Sequence, residues 1–338
     1  MRMLITGGVG FIGTNATLYF QKKGWTVHLV DNFSRYGVKH NARLLKNLTP
    51  DVQITHQDVG ATDKYLAQLK KASVILHLAG QTAVTTSIAQ PQKDFTANLQ
   101  GSFRLLEAVR QHNPQAIVIY ASTNKVYGNL SQHQLKKDEK NKRYEDTCHP
   151  DGIGEKEQLN FISPYGCSKG AVDQYMQDYA RTYNLRTVVF RQSCIYGPFQ
   201  MGVEDQGWVA HFAKQFLLGR LLTVYGNGYQ VRDLLFVDDL LQAYDLAIKQ
   251  IDKTAGHAFN IGGGKENSYS LLQVIETLEK KIGKSIPVDF QKSRLGDQKY
   301  FVSDNRLLSS TLGWQTRTPY STGMDRLLLW QKNQRTIL

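Results

Sequence analysis

Cysteine is scarce in this chain. Only three are present in 338 residues, Cys148, Cys167 and Cys194, and they are far apart with no C-x-x-C spacing. That spacing argues against a disulfide framework and a cysteine-based zinc site, and no metal is expected. The chain also lacks any run of about 18 apolar residues, so no membrane span and no membrane partner are expected. Its start reads as a strand instead of a secretory leader, which makes the cytoplasm the expected setting. Internal repeats and low-complexity tracts are missing too. Acidic residues are the minority charge, 29 against 41 basic ones, for a formal net charge of +12. The densest basic stretch, residues 136–143, contains Asp138 and Glu139 and lacks the interleaved aromatics that would stack bases. It reads as a solvated loop, and no nucleic-acid partner is expected. A positive field of this kind suits an anionic small substrate.

Hydrophobic residues at 41% and charged residues at 21% are ordinary for a globular protein, and the length allows one large or two modest domains. The most informative segment is Thr6-Gly7-Gly8-Val9-Gly10-Phe11-Ile12-Gly13. It follows an apolar strand, Met3-Leu4-Ile5, and leads into an amphipathic helix with Phe11, Ile12, Ala16, Leu18 and Tyr19 on its apolar side. In such a turn Gly7 permits the tight bend, Gly10 lets a pyrophosphate approach the backbone, and Gly13 lets the helix sit close to the sheet. The next strand, Thr26-Val27-His28-Leu29-Val30, ends in Asp31, an acceptor for ribose hydroxyls that repels a 2′-phosphate; the expected cofactor is therefore NAD. Asp58, after a third strand at Val52-Gln53-Ile54-Thr55, is placed to reach the adenine amino group.

Strand and helix alternate from here, as in an α/β protein with a Rossmann-type doubly wound parallel sheet. Helices are expected near 38–48 and 62–71, then a strand at Val74-Ile75-Leu76-His77-Leu78-Ala79-Gly80, with His77 a core residue. A longer helix follows, with Leu99, Phe103, Leu106 and Val109 as its apolar positions, and then the strand Ala116-Ile117-Val118-Ile119-Tyr120-Ala121. Residues 129–161 read as a polar surface insertion. A helix over about 164–183 and the strand Thr187-Val188-Val189-Phe190 complete an NAD-binding domain, residues 1–193. Residues 194–338 are expected to form a smaller α/β lobe for the substrate, with a turn at Gly226-Asn227-Gly228 and helices at 238–248 and 271–282.

Tyr165 and Lys169 stand four apart, on one face of a helix. A lysine ammonium beside a phenol favours the phenolate, and a nicotinamide's positive charge adds to this. Moving a tyrosine from near 10 to about 7 takes roughly 4 kcal/mol, within reach of two nearby charges at partial burial. The result is a general base at neutral pH. The same spacing occurs in Tyr19 and Lys23, so position decides between the pairs. Tyr165 opens the helix that follows the fifth strand, and Thr123, just past that strand, can hydrogen-bond the same substrate oxygen.

These features together resemble the extended short-chain dehydrogenase/reductase family of nucleotide-sugar enzymes: the glycine motif, Asp31, Ser122-Thr123 with Val126-Tyr127-Gly128, the Tyr165/Lys169 pair, and Arg191 with Tyr196-Gly197-Pro198. Within that family, Gly80-Gln81-Thr82-Ala83-Val84-Thr85-Thr86-Ser87, Ser163-Pro164-Tyr165-Gly166-Cys167-Ser168-Lys169-Gly170 and Asp205-Gln206-Gly207-Trp208-Val209 resemble 2-epimerases of CDP-linked dideoxyhexoses. The resemblance implies Tyr165 as proton acceptor, Lys169 as its partner and Thr123 on the substrate hydroxyl. It also implies that Phe11, Ile12, Asn32, Val59, Leu78, Ala79 and Gly80 border the NAD site. Val209, Arg232 and Arg294 would then contact the nucleotide sugar, the two arginines through its diphosphate, although Arg232 could instead pair with its neighbour Asp233. A homo-oligomer is expected as well. The 4,6-dehydratases of the family carry Asp-Glu after the catalytic threonine, whereas Asn124-Lys125 stands here, so elimination lacks its acid. Many relatives have asparagine where Cys194 stands, and Trp208 would either pack on the base or anchor a loop. A 2-epimerase for another nucleotide sugar, a 4-epimerase, and a non-catalytic NAD-binding regulator are the other readings.

Overall fold

The computed structural model describes residues 1–334; residues 335–338, the end of the expected C-terminal lobe, lie outside the described residues. In chain order the strands are β1 (Arg2–Thr6), β2 (Thr26–Asp31), β3 (Gln53–His56), β4 (Val74–His77) and β5 (Ile117–Thr123). A hairpin of β6 (Leu135–Asp138) and β7 (Arg143–Asp146) follows, then β8 (Arg186–Gln192), β9 (Cys194–Tyr196), β10 (Leu222–Tyr225), β11 (Val231–Phe236), β12 (Ala258–Ile261), β13 (Ser268–Ser270), β14 (Val288–Gln291) and β15 (Tyr300–Phe301). Seven of them form one sheet in the order β3-β2-β1-β4-β5-β8-β12, every pair parallel. Helices cover both faces of such a sheet, which is why β4 and β5 read as continuous apolar runs and are almost wholly buried. Strand order reverses beside β1, so a crevice opens past the ends of β1 and β4, where open α/β sheets bind their ligands.

The second lobe is not a separate stretch of chain after residue 193. β12 returns to pair with β8 as the seventh strand of the main sheet, and the helix Val237–Lys249 lies against the helix Phe11–Gln21. In the rest of that lobe β11 pairs with β9, β13 and β15, and β10 pairs with β14. The insertion at 129–161 also departs from expectation. Its hairpin hydrogen-bonds to the substrate lobe through the Tyr144 amide and the Tyr229 carbonyl, 3.0 Å. Leu130 and Ile153 are buried in a small core with Val126, Tyr127 and Phe301. Its many polar residues concealed the few apolar ones that anchor it. Two helices differ in detail. The segment at 62–71 opens with a 3₁₀ turn, Thr62–Tyr65. The helix Gly101–His112 is entered through a wide turn, Phe95–Gln100, and Phe103, expected on its apolar side, is at the surface. No helix among the described residues is long and apolar enough to cross a membrane.

One buried ion pair joins the elements beneath the site. Asp173, on the helix Ser163–Tyr183, accepts two hydrogen bonds from the Arg191 guanidinium of β8, both 2.9 Å, and one from Ser122 Oγ of β5, 2.8 Å. Arg191 also donates to the Tyr127 hydroxyl at 3.0 Å, and Tyr127 donates to Asn260 of β12 at 2.8 Å. Both charged side chains are out of solvent, Arg191 5% and Asp173 0% exposed. The fork of Arg191 meets the carboxylate bidentately, the geometry in which such a pair offsets its desolvation. Replacing Asp173 by Ala would strand the guanidinium, and we expect unfolding free energy to fall by about 3–5 kcal/mol in denaturant titrations. A loss under about 1 kcal/mol would show that Arg191 finds water or another acceptor.

Candidate active site

The glycine turn closes on the neighbouring strand end. Gly7 sits at φ +69°, and a Cβ there would lie 2.8 Å from the Ala79 nitrogen; a Cβ on Gly13 would lie 2.6 Å from the carbonyl oxygens of Gly7 and Gly8. Only glycine fits either place. The cleft that starts here, about 1250 Å³, is lined by every residue expected to border the dinucleotide, from Gly7 through Asp31, Asp58 and Gly80 to Tyr165 and Lys169. Asp31 ends β2 with one carboxylate oxygen taking the Phe33 N–H at 2.8 Å and the other the Val9 N–H at 3.2 Å. Asn32 donates to Asp58 at 3.0 Å. A glycine cradle that a Cβ would fill, open to a helix N-terminus and bordered by a carboxylate at the strand end, fits NAD.

A second cleft, about 330 Å³, opens on the other side of Tyr165, and Thr123, Val209, Arg232 and Arg294 all line it. Thr123 and Tyr165 line both clefts. Arg232 does not pair with Asp233, because successive residues of β11 face opposite ways. Its guanidinium bonds Asp297 at 2.7 Å, while Asp233 turns inward to the N–H groups of Ser303 and Gly264. Arg294 pairs with Asp205 at 2.9 Å and stacks 3.8 Å over the Tyr225 ring. Trp208 donates its ring N–H to Cys194 Sγ at 3.4 Å and meets Phe212 edge-on.

Three contributors were not singled out from sequence. Lys125, which the sequence marks only as a missing acid, lines the second cleft and shares Asp297 with Arg232, at 3.5 Å. Arg35 donates to Thr82 Oγ1 across the NAD cleft at 2.9 Å, and its charge acts on Tyr165. Asp94 is buried beneath Lys169 and is held by Ser168 at 2.6 Å and by Gln81 and Asn98 at 3.0 Å each. Arg35 carried a faint signal, four residues past Asp31. Asp94 carried none.

A family model, the NAD dependent epimerase/dehydratase family, matches residues 3–262. The chain belongs to this epimerase/dehydratase family. It is 40% identical over 98% of its length to a CDP-paratose 2-epimerase of Salmonella typhi, covering 99% of that protein. It is 29% identical to a UDP-glucose 4-epimerase of Mycolicibacterium smegmatis, over 99% of both chains. Among solved structures, a UDP-glucuronic acid 4-epimerase of Bacillus cereus in complex with UDP-glucuronic acid and NAD superposes with a TM-score of 0.85 at 27% identity, over 99% of this chain and 100% of that one. A UDP-glucose 4-epimerase of Thermotoga maritima with UDP-glucose does so at 0.84 and 26%, with the same coverage.

In this family member the protein alone does not make Tyr165 a phenolate at neutral pH. Burial pushes its hydroxyl up to about 12, and Asp94 adds to this against the opposing Thr123 hydroxyl and Arg35 charge. Lys169 moves the other way. Burial brings its ammonium down to about 7 despite Asp94 and Asp173, while its Nζ donates to the Ala121 carbonyl and lies 4.3 Å over the Tyr120 ring. The expected lowering to about 7 therefore falls on the lysine, because both groups lose water and the Arg35 charge and Thr123 hydroxyl do not offset the burial of the phenol. By contrast the Tyr19/Lys23 pair is in direct contact at 2.9 Å on the surface, so contact is not what distinguishes a reactive pair. Burial at the junction of two clefts is.

A pH signature follows from Lys169. Its side chain is protonated in the unfolded chain up to about 10.5 but loses its proton near 7 in the fold. Between those values the unfolded state binds the extra proton, so this group makes stability rise with pH. We expect the cofactor-free protein to gain stability relative to Lys169→Met as pH rises from 7 towards 10, measured by denaturant unfolding. A difference that stays flat or falls would mean that Lys169 remains charged.

Proposed function

We propose that this protein is an NAD-dependent isomerase that interconverts CDP-paratose and CDP-tyvelose by inverting C2 of the sugar. The observation that carries the chemistry is that Thr123 and Tyr165 line both clefts, so one substrate hydroxyl can meet a proton acceptor at the edge of the dinucleotide site. Tyr165 takes the proton of the C2 hydroxyl while Thr123 hydrogen-bonds the same oxygen. NAD, held by the glycine turn and Asp31, supplies reversible hydride acceptance and a positive charge that favours the phenolate. Arg35 and Thr123 act in the same direction as that charge. The sugar ketone must then present its opposite face before the carbon is reduced again.

The other half of the site supports the substrate class. Arg232, Lys125 and Arg294 gather cations in the second cleft, where a diphosphate can exchange with the carboxylates of Asp297 and Asp205 for charge-assisted hydrogen bonds. Val84 and Ile88 give this cleft an apolar wall, which suits a sugar short of hydroxyls. The CDP-linked dideoxyhexose itself is supported by the 40% identity to a CDP-paratose 2-epimerase. Self-association has a suitable surface in the exposed Phe95, Phe103, Tyr175 and Tyr183, with Phe103 and Tyr175 edge to face at 5.5 Å. A cytoplasmic setting suits three free cysteines.

Incubation with CDP-paratose or with CDP-tyvelose, followed by proton NMR, should reach the same mixture of the two from either side. Tyr165→Phe should retain its NAD and lose at least about a hundredfold in rate. Inversion of UDP-glucose at C4 without action on either CDP-sugar would overturn the substrate assignment in favour of a 4-epimerase.

A further inference from the structure

Outside both clefts, the insertion brings together side chains whose spacing in the sequence had no metal-ligand pattern: His133, His149 and Glu157. One nitrogen or oxygen of each lies within 4.8 Å of the others, and this is the one such group among the described residues. None of the three lines either cleft.

Asp146, at the end of β7, organises them. Its Oδ1 takes the N–H groups of Cys148 at 2.9 Å and His149 at 3.0 Å. Its Oδ2 faces Nδ1 of His133 at 2.8 Å and Nδ1 of His149 at 3.0 Å. A carboxylate oxygen only accepts, so both imidazoles carry their proton on Nδ1. In each ring Nε2 is then the nitrogen that Asp146 does not engage. The two rings are stacked, with centroids 4.2 Å apart and planes 17° from parallel. Glu157 adjoins His133: its Oε1 takes the Gln132 amide at 3.1 Å, and its Oε2 is 3.5 Å from His133 Nε2. His133 is almost wholly buried and Glu157 largely so, while His149, 35% exposed, leaves one side open to solvent.

One donor atom from each of two imidazoles and a carboxylate, lying within 4.8 Å of one another with a second carboxylate behind both rings, form a set that a cation can bridge. We propose that His133, His149 and Glu157 form a binding site for a divalent transition-metal ion, with Asp146 as the residue that orients both histidines. Two imidazoles and one carboxylate suit zinc and its first-row neighbours, and a carboxylate behind each histidine is the usual second partner of a metal-bound imidazole. Magnesium and calcium, which take oxygen ligands, do not suit this set. The ion would cross-link three points of the insertion and so hold in place a segment that hydrogen-bonds to the substrate lobe.

The test uses full-length protein without an affinity tag, treated with chelator, dialysed and titrated with zinc chloride alone by calorimetry. One equivalent should bind, and the melting temperature should rise with zinc. His149→Ala and Glu157→Gln, both at partly accessible positions, should each weaken binding at least tenfold, and Asp146→Asn roughly ten- to a hundredfold. Unchanged circular dichroism and bound NAD in the two ligand variants would exclude unfolding as the cause. Absence of zinc binding to the wild type, or undiminished binding in the two ligand variants, would overturn the proposal.

Discussion

The Arg191–Asp173 pair is the constraint on which the site depends. Thr123, Tyr165 and Lys169 come from a strand end and the helix after it, and each element is fixed to the other by a hydrogen bond one or a few residues away. Ser122 is the immediate neighbour of Thr123, Asp173 lies one turn beyond Lys169 on its helix, and Arg191 is next to Gln192, which lines both clefts. Through Tyr127 and Asn260 the same knot reaches β12 and so ties in the returning chain of the second lobe. Surface ion pairs contribute little to stability, but a bidentate pair out of water carries a large penalty for any arrangement that separates it. That penalty holds the reactive groups in register without using their own side chains.

Electrostatics at the junction then follow from burial. Water is excluded from Tyr165 and Lys169, so each is driven towards its neutral form. The chain surrounds the phenol with groups of opposing effect, Asp94 against Arg35 and Thr123, and leaves the balance to be tipped by a positive charge in the NAD cleft. As the proposed base, Tyr165 would ionise readily only with a positive charge in the NAD cleft, which suits a reaction that needs both together. In the second cleft Lys125, Arg232 and Arg294 are partly neutralised by Asp297, Glu204 and Asp205, carboxylates that the proposed diphosphate would replace.

Much of this was legible in the chain because the features are local. The glycine turn, Asp31, the parallel strands and the Tyr165/Lys169 helix each depend on residues close in sequence and on short periods. The parts that escaped depend on distant contacts. β12 reads like any short strand, and nothing local says that it returns to the first sheet. The insertion reads as polar because Leu130 and Ile153 are outnumbered, although their burial decides where it lies. Asp94 and Lys125 acquire their significance only from Lys169, Arg232 and Asp297, which other elements supply. The Tyr165/Lys169 spacing gives proximity and says nothing about desolvation, which in the cofactor-free protein raises the phenol and lowers the ammonium.

In the proposed reaction the carbon to be inverted gives up and regains the same hydrogen, and Tyr165 handles only the hydroxyl proton. CDP-paratose carrying deuterium at C2, converted in ordinary water, tests it most directly. CDP-tyvelose that keeps its deuterium at C2 is the predicted result. Product that has exchanged it for solvent hydrogen would mean proton abstraction from carbon, and would contradict the account.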